Sequence, residues 1–178
     1  MNTKKKTTWA LDPTHSELTF KVRHMMITNV KGEFKNFSVD IDGDDIFHSA
    51  LKVQIDAASI NTNNNDRDQH LKSADFFDVE NHKDIEFKST SFSQKDDNEY
   101  LLKGLLTMKG VSKEVAIPVE FGGINKDPWG NEQAGFSIEG KINRKDWGLN
   151  WNAALETGGV LVSDEVKIAG ELQFVKQS

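Results

Sequence analysis

The sequence predicts an all-β protein, an eight-stranded antiparallel up-and-down barrel with a short helix inserted between strands three and four. Segment after segment alternates apolar and polar residues, a period of two that is typical of strands burying one face. Short polar turns join most of these segments, and one polar, charged insert at residues 61–71 interrupts the series. Many half-buried strands that share one apolar face favour a sheet closed on itself. An open two-sheet sandwich is the alternative architecture.

Each of the eight predicted strands places its apolar residues at alternate positions. The first carries Leu18, Phe20 and Val22 on one face and charged or hydroxyl side chains on the other. Pro118 in the sixth strand indicates a sheet edge or a bulge, because proline cannot donate to a ladder. The glycine-rich segment 122–130 is predicted to be a loop, and a change of phase near 143–146 predicts a bulge or corner. The predicted strands cover residues 16–24, 31–42, 50–58, 84–92, 100–108, 115–121, 134–142 and 166–174.

The composition fits one folded domain, which we place at residues 9–178 after a flexible N-terminal tail of residues 1–8. A chain of 178 residues is long enough for one core and short for two. The formal net charge of −6 gives no general reason to expect nucleic acid or an anionic membrane surface as a partner. The absence of cysteine excludes disulfides, thiolate chemistry and cysteine-type zinc sites.

The N-terminus predicts neither export nor membrane insertion for the chain as it is written. Lys4, Lys5 and Lys6 could open a secretory signal, but the apolar stretch that a signal requires does not follow. No segment approaches the length of a transmembrane helix. We therefore expect a cytoplasmic protein, or a periplasmic one if the sequence is a trimmed mature form.

Three polar residues are candidates for a ligand-binding role. His24 shares the parity of the apolar face of strand one, so we expect it to point inward. It is either a hydrogen-bonded histidine at the barrel rim or a contact for the polar head of a ligand. Arg67 and His70 lie three residues apart, on one face of the predicted helix. They could stand at the mouth of an apolar cavity, or Arg67 could pair with a carboxylate and only order the loop.

The sequence lacks the common motifs of enzyme chemistry. It has no Gly-x-Ser-x-Gly, no His-Glu-x-x-His, no glycine-rich phosphate loop and no paired-carboxylate motif. The five histidines show no metal-ligand spacing, so we predict no metal site and no cofactor. Arg144 and Asp146 are predicted to pair and to order the corner near 143–146.

Several motifs, in order along the chain, resemble the YceI-like family, lipocalin-like barrels described as polyisoprenoid-binding proteins. The resemblance covers nearly everything from Trp9 onward. Many relatives are exported, whereas this sequence shows no signal peptide. The stretches that carry the resemblance are Trp9–His24, Gly32–Phe34, Ala58–Thr62, Arg67–Asp78, Ile85–Ser89, Gly104–Gly110 and Ile142–Leu149.

The resemblance implies a barrel around a long apolar cavity that holds an extended isoprenoid or fatty-acyl-like lipid. From strand parity and helix spacing, we place His24, Arg67 and His70 where the polar head of such a lipid would lie. The cavity itself is expected to be lined by the in-phase apolar residues. These are Leu18, Phe20, Val22, Phe37, Val53, Phe76, Phe77, Ile85, Phe87, Leu106, Met108, Ile117, Phe136, Ile138, Trp147 and Leu149.

The leading hypothesis is a non-enzymatic carrier or store for a hydrophobic small molecule, above all an isoprenoid lipid or isoprenoid quinone. One alternative is an enzyme acting on an isoprenoid or acyl lipid, with His24 or His70 as acid–base and Arg67 holding a diphosphate. Another is an interaction module with a packed core and no ligand. Pro118 and the glycines at 122–123 hint at an exposed edge, which could support a homodimer.

Overall fold

The computed structural model describes residues 9–43, 45–153, 155 and 161–177, and this part of the chain is mostly β-structure. It contains eleven strands and one α-helix, α1, at Asn65–Lys72. The predicted tail at residues 1–8 lies outside the described residues. The strands are β1 Trp9–Leu11, β2 Glu17–His24, β3 Thr28–Phe34, β4 Phe37–Asp42, β5 Ala50–Asp56, β6 Ile60–Asn61, β7 Asp84–Gln94, β8 Glu99–Met108, β9 Val111–Lys126, β10 Glu132–Asn143 and β11 Val162–Lys176.

All strand pairs are antiparallel, and β11 returns to pair with β2. β2 pairs with β3 on one side and with β11 on the other, and β11 also pairs with β10. β3 pairs with β6 and β4 with β5, after which β5, β7, β8, β9 and β10 follow in order. The predicted antiparallel up-and-down barrel is confirmed, and α1 lies in the connection between β6 and β7.

The strand count differs from eight because two positions of the wall are occupied by bent strands. A bend at Lys35 and Asn36 separates β3 from β4, and a 3-10 turn at Ala57–Ser59 separates β5 from β6. The Lys35 N–H donates to the Ser59 carbonyl at 3.2 Å, and the Asp56 N–H donates to the Asn36 carbonyl at 3.0 Å. These bonds join the two bends, so the wall has eight positions although eleven strands are assigned in the described residues. β1 is the extra strand, too short to show alternation, and it pairs with the end of β11.

The predicted loop at 122–130 is instead the end of β9 and a short turn into β10. Gly122 is the extra residue of a β-bulge, since its neighbours Phe121 and Gly123 pair with consecutive residues of β10. Gly123 has a φ of 112°, which a side chain would disfavour. A glycine pair that indicates a loop in sequence therefore serves here to bend a strand.

Two other predicted irregularities lie in or beside β9 and β10. Pro118 pairs with Leu101 of β8, and the ladder between β9 and β10 reaches only as far as Val119. The proline thus stands where the missing N–H removes no bond to β10. The predicted corner after β10 is a 3-10 turn at Arg144–Trp147.

The two ends of the barrel differ. At one end Phe47, from the connection between β4 and β5, contacts four aromatic rings of the wall at centroid distances between 5.0 and 6.3 Å. We call this the closed end. The other end, which we call the mouth, carries α1, the β2–β3 turn, the 3-10 corner and the start of β11. The four rings around Phe47 are Phe92, Tyr100, Phe121 and Phe136.

Candidate functional site

The barrel encloses a cavity of about 630 Å³ that runs from the mouth toward the closed end. Most of the side chains that line it are apolar, and they come from all of the long strands of the wall. Among the described residues that line it, only Asn64 and Asp66 are exposed, and both lie at the mouth. The cavity is therefore a deep apolar pocket that meets solvent beside α1.

Fourteen of the sixteen apolar residues predicted to line the interior do line this cavity. Eleven of them lie on strands of the wall, Leu149 follows the 3-10 corner, and two phenylalanines follow α1. Their contact with a ligand stays a prediction. The fourteen are Leu18, Phe20, Val22, Val53, Phe76, Phe77, Ile85, Phe87, Leu106, Met108, Ile117, Phe136, Ile138 and Leu149.

The two remaining residues, Phe37 and Trp147, do not line the cavity. Phe37 begins β4 directly after the bend and packs against the buried core. Trp147 ends the 3-10 corner, and its indole N–H donates to the Leu106 carbonyl oxygen at 2.8 Å. This bond holds the indole within the wall. The apolar character of both residues and their phase along the strands predicted burial. These two signals contain no information on the local turns that change the direction of a side chain.

Two glycines of the wall make room for aromatic rings that border the cavity. Phe20 pairs across strands with Gly32, and a Cβ on that glycine would stand 2.2 Å from the Phe20 Cζ atom. In the same way, a Cβ on Gly104 would stand 2.5 Å from the Phe87 Cζ atom. Each ring lies directly over the backbone of a glycine, which has no side chain. The ring therefore extends less far into the interior than it would if a side chain lay beneath it.

Helix α1 brings a hydrogen-bonded group of polar residues to the mouth. The Asn64 side chain caps the helix by accepting from the Arg67 N–H at 3.0 Å. The Arg67 Nε–H donates to the Thr62 hydroxyl at 2.8 Å, and Nη2 donates to the Thr62 carbonyl at 2.9 Å. Buried Asp68 accepts from the Thr62 N–H at 2.8 Å and from its hydroxyl at 2.6 Å. Thr62 thus links the guanidinium to the carboxylate, and Arg67 both orders the loop and lines the cavity.

His70 lies on the same helix and also lines the cavity. Its Nε2 atom is 2.9 Å from an Asp75 carboxylate oxygen, within hydrogen-bond distance. Its ring meets the rings of Trp151 and Phe76 edge to face, at centroid distances of 4.6 and 5.1 Å. The imidazole is therefore oriented on one side by a carboxylate and on the other by aromatic contacts.

His24 ends β2 at the mouth and lines the cavity, as its parity predicts. It pairs with Thr28 of β3 and with Val162 of β11, two residues of the same end of the barrel. The structure thus brings His24, Arg67 and His70 to one end of a single cavity. Their contact with the polar head of a ligand stays a prediction.

Arg144 is a polar residue of the cavity wall that the sequence reasoning missed. The predicted pair with Asp146 is replaced by three bonds in which the guanidinium donates to the carbonyls of Leu149, Val162 and Ser163. The side chain is 3% exposed. Burial lowers the pKa of the Arg144 guanidinium, and the charge of nearby Asp164 opposes that shift. Arg144 therefore joins the 3-10 corner to the start of β11, and its charge borders the apolar cavity.

Neither a metal-binding cluster nor a membrane-spanning helix occurs within the described ranges. No group of three or more histidine, aspartate or glutamate side chains there is arranged to hold a metal ion. Among the same residues, no helix has the length and apolar character needed to cross a bilayer.

Comparison with known sequences identifies relatives over nearly the full chain. The family model of the YceI-like domain matches residues 9–174. A UPF0312 protein of Staphylococcus epidermidis is 41% identical over 171 residues, which cover 94% of this chain and 97% of that protein.

Comparison with solved structures gives the same picture. The Campylobacter jejuni YCEI protein is 34% identical with a TM-score of 0.75, and the match covers 89% of this chain and 91% of that one. A polyisoprenoid binding domain from Saccharophagus degradans is 16% identical with a TM-score of 0.75, covering 96% of this chain and 99% of that one. At that identity the second likeness shows the fold alone.

Proposed function

The chain belongs to the YceI-like domain family, and from this premise we propose that it binds one extended hydrophobic molecule inside the barrel, as a non-enzymatic carrier or store. The ligand class we propose is an isoprenoid lipid or isoprenoid quinone, with a fatty-acyl chain as the nearest substitute. The single observation that carries the proposal is the deep cavity of about 630 Å³, lined mostly by apolar side chains and open to solvent beside α1.

The size of the cavity suits a small-molecule ligand. Sites for such ligands occupy roughly 300–1,000 Å³ and have mostly apolar walls with a few polar groups that set orientation. This cavity has that volume and that lining, and all of its polar lining residues except Thr19 lie at one end. An isoprenoid chain matches this arrangement because it is long and apolar and carries its polar group at one terminus.

The energy of transfer favours a long apolar chain. Each methylene group moved from water into an apolar pocket gains about 0.8 kcal/mol, so about a dozen of them gain roughly 10 kcal/mol. Ordering of the chain and loss of its free motion reduce this gain. Affinity should therefore depend on chain length and shape more than on the chemistry of the head.

The mouth suits a polar or anionic head group. Arg67, His70 and His24 line the cavity there, and arginine binds carboxylate and phosphate oxygens through paired N–H donors. The Saccharophagus degradans neighbour is described as a polyisoprenoid binding domain, and its likeness in fold supports the same ligand class for this chain.

The experiment that tests the proposal is mass spectrometry of the intact, gently purified protein, followed by organic extraction and identification of any lipid. We expect a co-purifying apolar molecule of defined mass, or saturable one-to-one binding of added isoprenoid alcohols and fatty acids. The proposal would be contradicted by a protein that is purified without a lipid and binds neither isoprenoid alcohols nor fatty acids. Incubation with a bound isoprenoid diphosphate separates the enzyme alternative, because a carrier returns the ligand unchanged. A released product that disappears in His24→Ala and His70→Ala would indicate catalysis.

A further inference from the structure

The turn between β2 and β3 carries three consecutive large apolar side chains on its outside. Met25, Met26 and Ile27 are 46%, 56% and 74% exposed. We call these three residues the apolar tip. Single apolar residues are ordinary on a protein surface, but a contiguous exposed group indicates a surface that meets another apolar phase.

The apolar tip has a backbone conformation that its residues do not favour. Met25 and Met26 have φ values of 52° and 64°, and the Ile27 N–H donates to the His24 carbonyl at 3.3 Å. Two consecutive residues at positive φ make the hairpin turn for which Asn-Gly is the favoured sequence. Methionine gives no conformational advantage there. The conformation of the turn therefore does not account for methionine at either position.

The apolar tip stands at the rim of the cavity. His24, which precedes it directly, lines the cavity, and the Met25 N–H donates to the carbonyl of Leu161, another lining residue, at 2.8 Å. A surface that contacts the apolar tip would therefore also face the entrance to the barrel.

A row of lysines crosses the outer face of the same part of the wall. Lys31 pairs with Lys21, Lys21 with Lys167, and Lys167 with Lys141, so four adjacent strands present lysine in direct register. Lys141 also lies 3.9 Å from a Glu165 carboxylate oxygen. Like charges placed directly opposite one another destabilise a sheet. A surface of opposite charge would relieve this repulsion.

The lysine row and the apolar tip can contact one surface together. Lys21 and Lys31 each lie four residues from the apolar tip along their strands, a distance of about 13 Å. Anionic lipid headgroups attract basic residues, and apolar side chains enter the boundary between headgroups and acyl chains. We propose that the mouth docks on an anionic lipid bilayer, with Met25, Met26 and Ile27 entering the interface and the lysine row facing its headgroups.

This inference rests on the proposed function for its purpose, because a carrier that loads from a bilayer must bring its entrance to the lipid. Its test does not depend on the cavity being filled. Vesicle binding is measured on the protein itself, and lipid carriage is measured separately by extraction. Failure of docking with carriage intact therefore refutes this inference alone, and docking without carriage refutes only the proposed function.

The experiment is flotation of the full chain with vesicles of phosphatidylcholine alone and of phosphatidylcholine mixed with phosphatidylglycerol. We expect flotation with the mixed vesicles that weakens as salt is added. The test variant combines Met25→Asn, Met26→Gly and Ile27→Ser, which supplies the favoured turn sequence and removes the apolar side chains. It should keep or raise the melting temperature while it lowers partitioning to mixed vesicles by about tenfold or more. Lys21→Gln with Lys31→Gln should reduce the salt dependence.

Trp129 offers the matched control. It is 83% exposed in the turn between β9 and β10, at the closed end, so Trp129→Ser removes an exposed apolar side chain far from the mouth. We expect this variant to float like the native protein. The proposal is overturned if native protein does not float with mixed vesicles, if the tip variant floats equally well, or if Trp129→Ser is weakened as much. A dimer that dissociates in the tip variant, without vesicle binding, would identify the tip as a protein contact and overturn the proposal as well.

Discussion

Replacement of Gly32 by alanine should narrow the cavity from within its wall. The new Cβ would lie 2.2, 2.6 and 2.9 Å from three atoms of the Phe20 ring, whereas ordinary contact begins at 3.4 Å. The ring must therefore move by about 1 Å. Its neighbour on the wall is the Phe34 ring, at a centroid distance of 5.6 Å, so the free direction is toward the interior.

The displaced ring should exclude one or two methylene groups of a bound chain. At about 0.8 kcal/mol for each methylene group, this weakens binding by roughly fourfold to fifteenfold. Overpacking of this kind also lowers the free energy of unfolding by about 1–3 kcal/mol. The loss of affinity should be largest for the longest ligand that the native protein accepts, because a short chain can avoid the narrowed region.

The assay is calorimetric titration of Gly32→Ala with fatty acids and prenols of increasing length, together with urea unfolding. Gly135→Ala is the matched control, since a Cβ at Gly135 meets nothing within 4 Å. Phe20→Leu combined with Gly32→Ala should recover affinity, because the smaller side chain no longer meets the new methyl group. The reasoning is refuted if folded Gly32→Ala binds the longest chain as tightly as native protein, or if the double variant binds no better than the single one.

Three further predictions concern the corner, the N-terminal contact and the closed end. Arg144→Met removes the guanidinium bonds to the Leu149 and Ser163 carbonyls and the longer bond to the Val162 carbonyl, which keeps its bond from the Asn152 side chain at 2.7 Å. The free energy of unfolding should fall by about 3–5 kcal/mol in urea titrations, and an unchanged midpoint would contradict this. Hydrogen bonds from Thr14, and next from His15, hold the pKa of the Asp12 carboxyl below its ordinary value of 3.8 in the folded protein. These bonds therefore stabilise the fold fully above pH 3.8, and the stabilisation is lost as the pH falls through the lowered pKa of the folded state. Asp12→Asn should therefore lower the urea midpoint at neutral pH, and a difference that did not shrink below pH 3.8 would oppose this account. Phe47→Ala should lower the free energy of unfolding by about 2–4 kcal/mol and should let the barrel bind a longer chain than the native protein accepts in titrations. A stable variant with the native limit on chain length would show that Phe47 does not close this end of the cavity.

The alternation of apolar and polar residues predicts the barrel well because each side chain of a strand points to one of only two faces of the sheet. Leu18, Phe20 and Val22 could be assigned to the interior from alternation alone, and they line the cavity. Phase fails where the backbone turns. Phe37 follows a bend, and nothing in the alternation of its neighbours indicates that the strand is broken at Lys35 and Asn36.

The polar part of the candidate site could be predicted only in part. Arg67 and His70 share a helix, and their spacing of three residues is enough to place them on one face. Arg144 depends on carbonyl groups five to nineteen residues further along the chain, to which it donates. A nearby acidic residue suggested a local pair, but carbonyl acceptors leave no signal in a sequence.

Closure of the barrel between β2 and β11 also determines when the protein can fold. Two examples are the bonds of Arg23 with Ser163 and of Ser16 with Gln173, which join positions 140 and 157 residues apart. Such distant pairing is slow, because the entropy of closing a long loop must be lost before the contacts form. During synthesis the first hairpins leave the ribosome before β11 has been made, so their apolar faces stay exposed until the barrel closes. The wall that encloses the cavity is therefore complete only after β11 has paired with β2, so the native cavity forms at the last pairing step of the barrel.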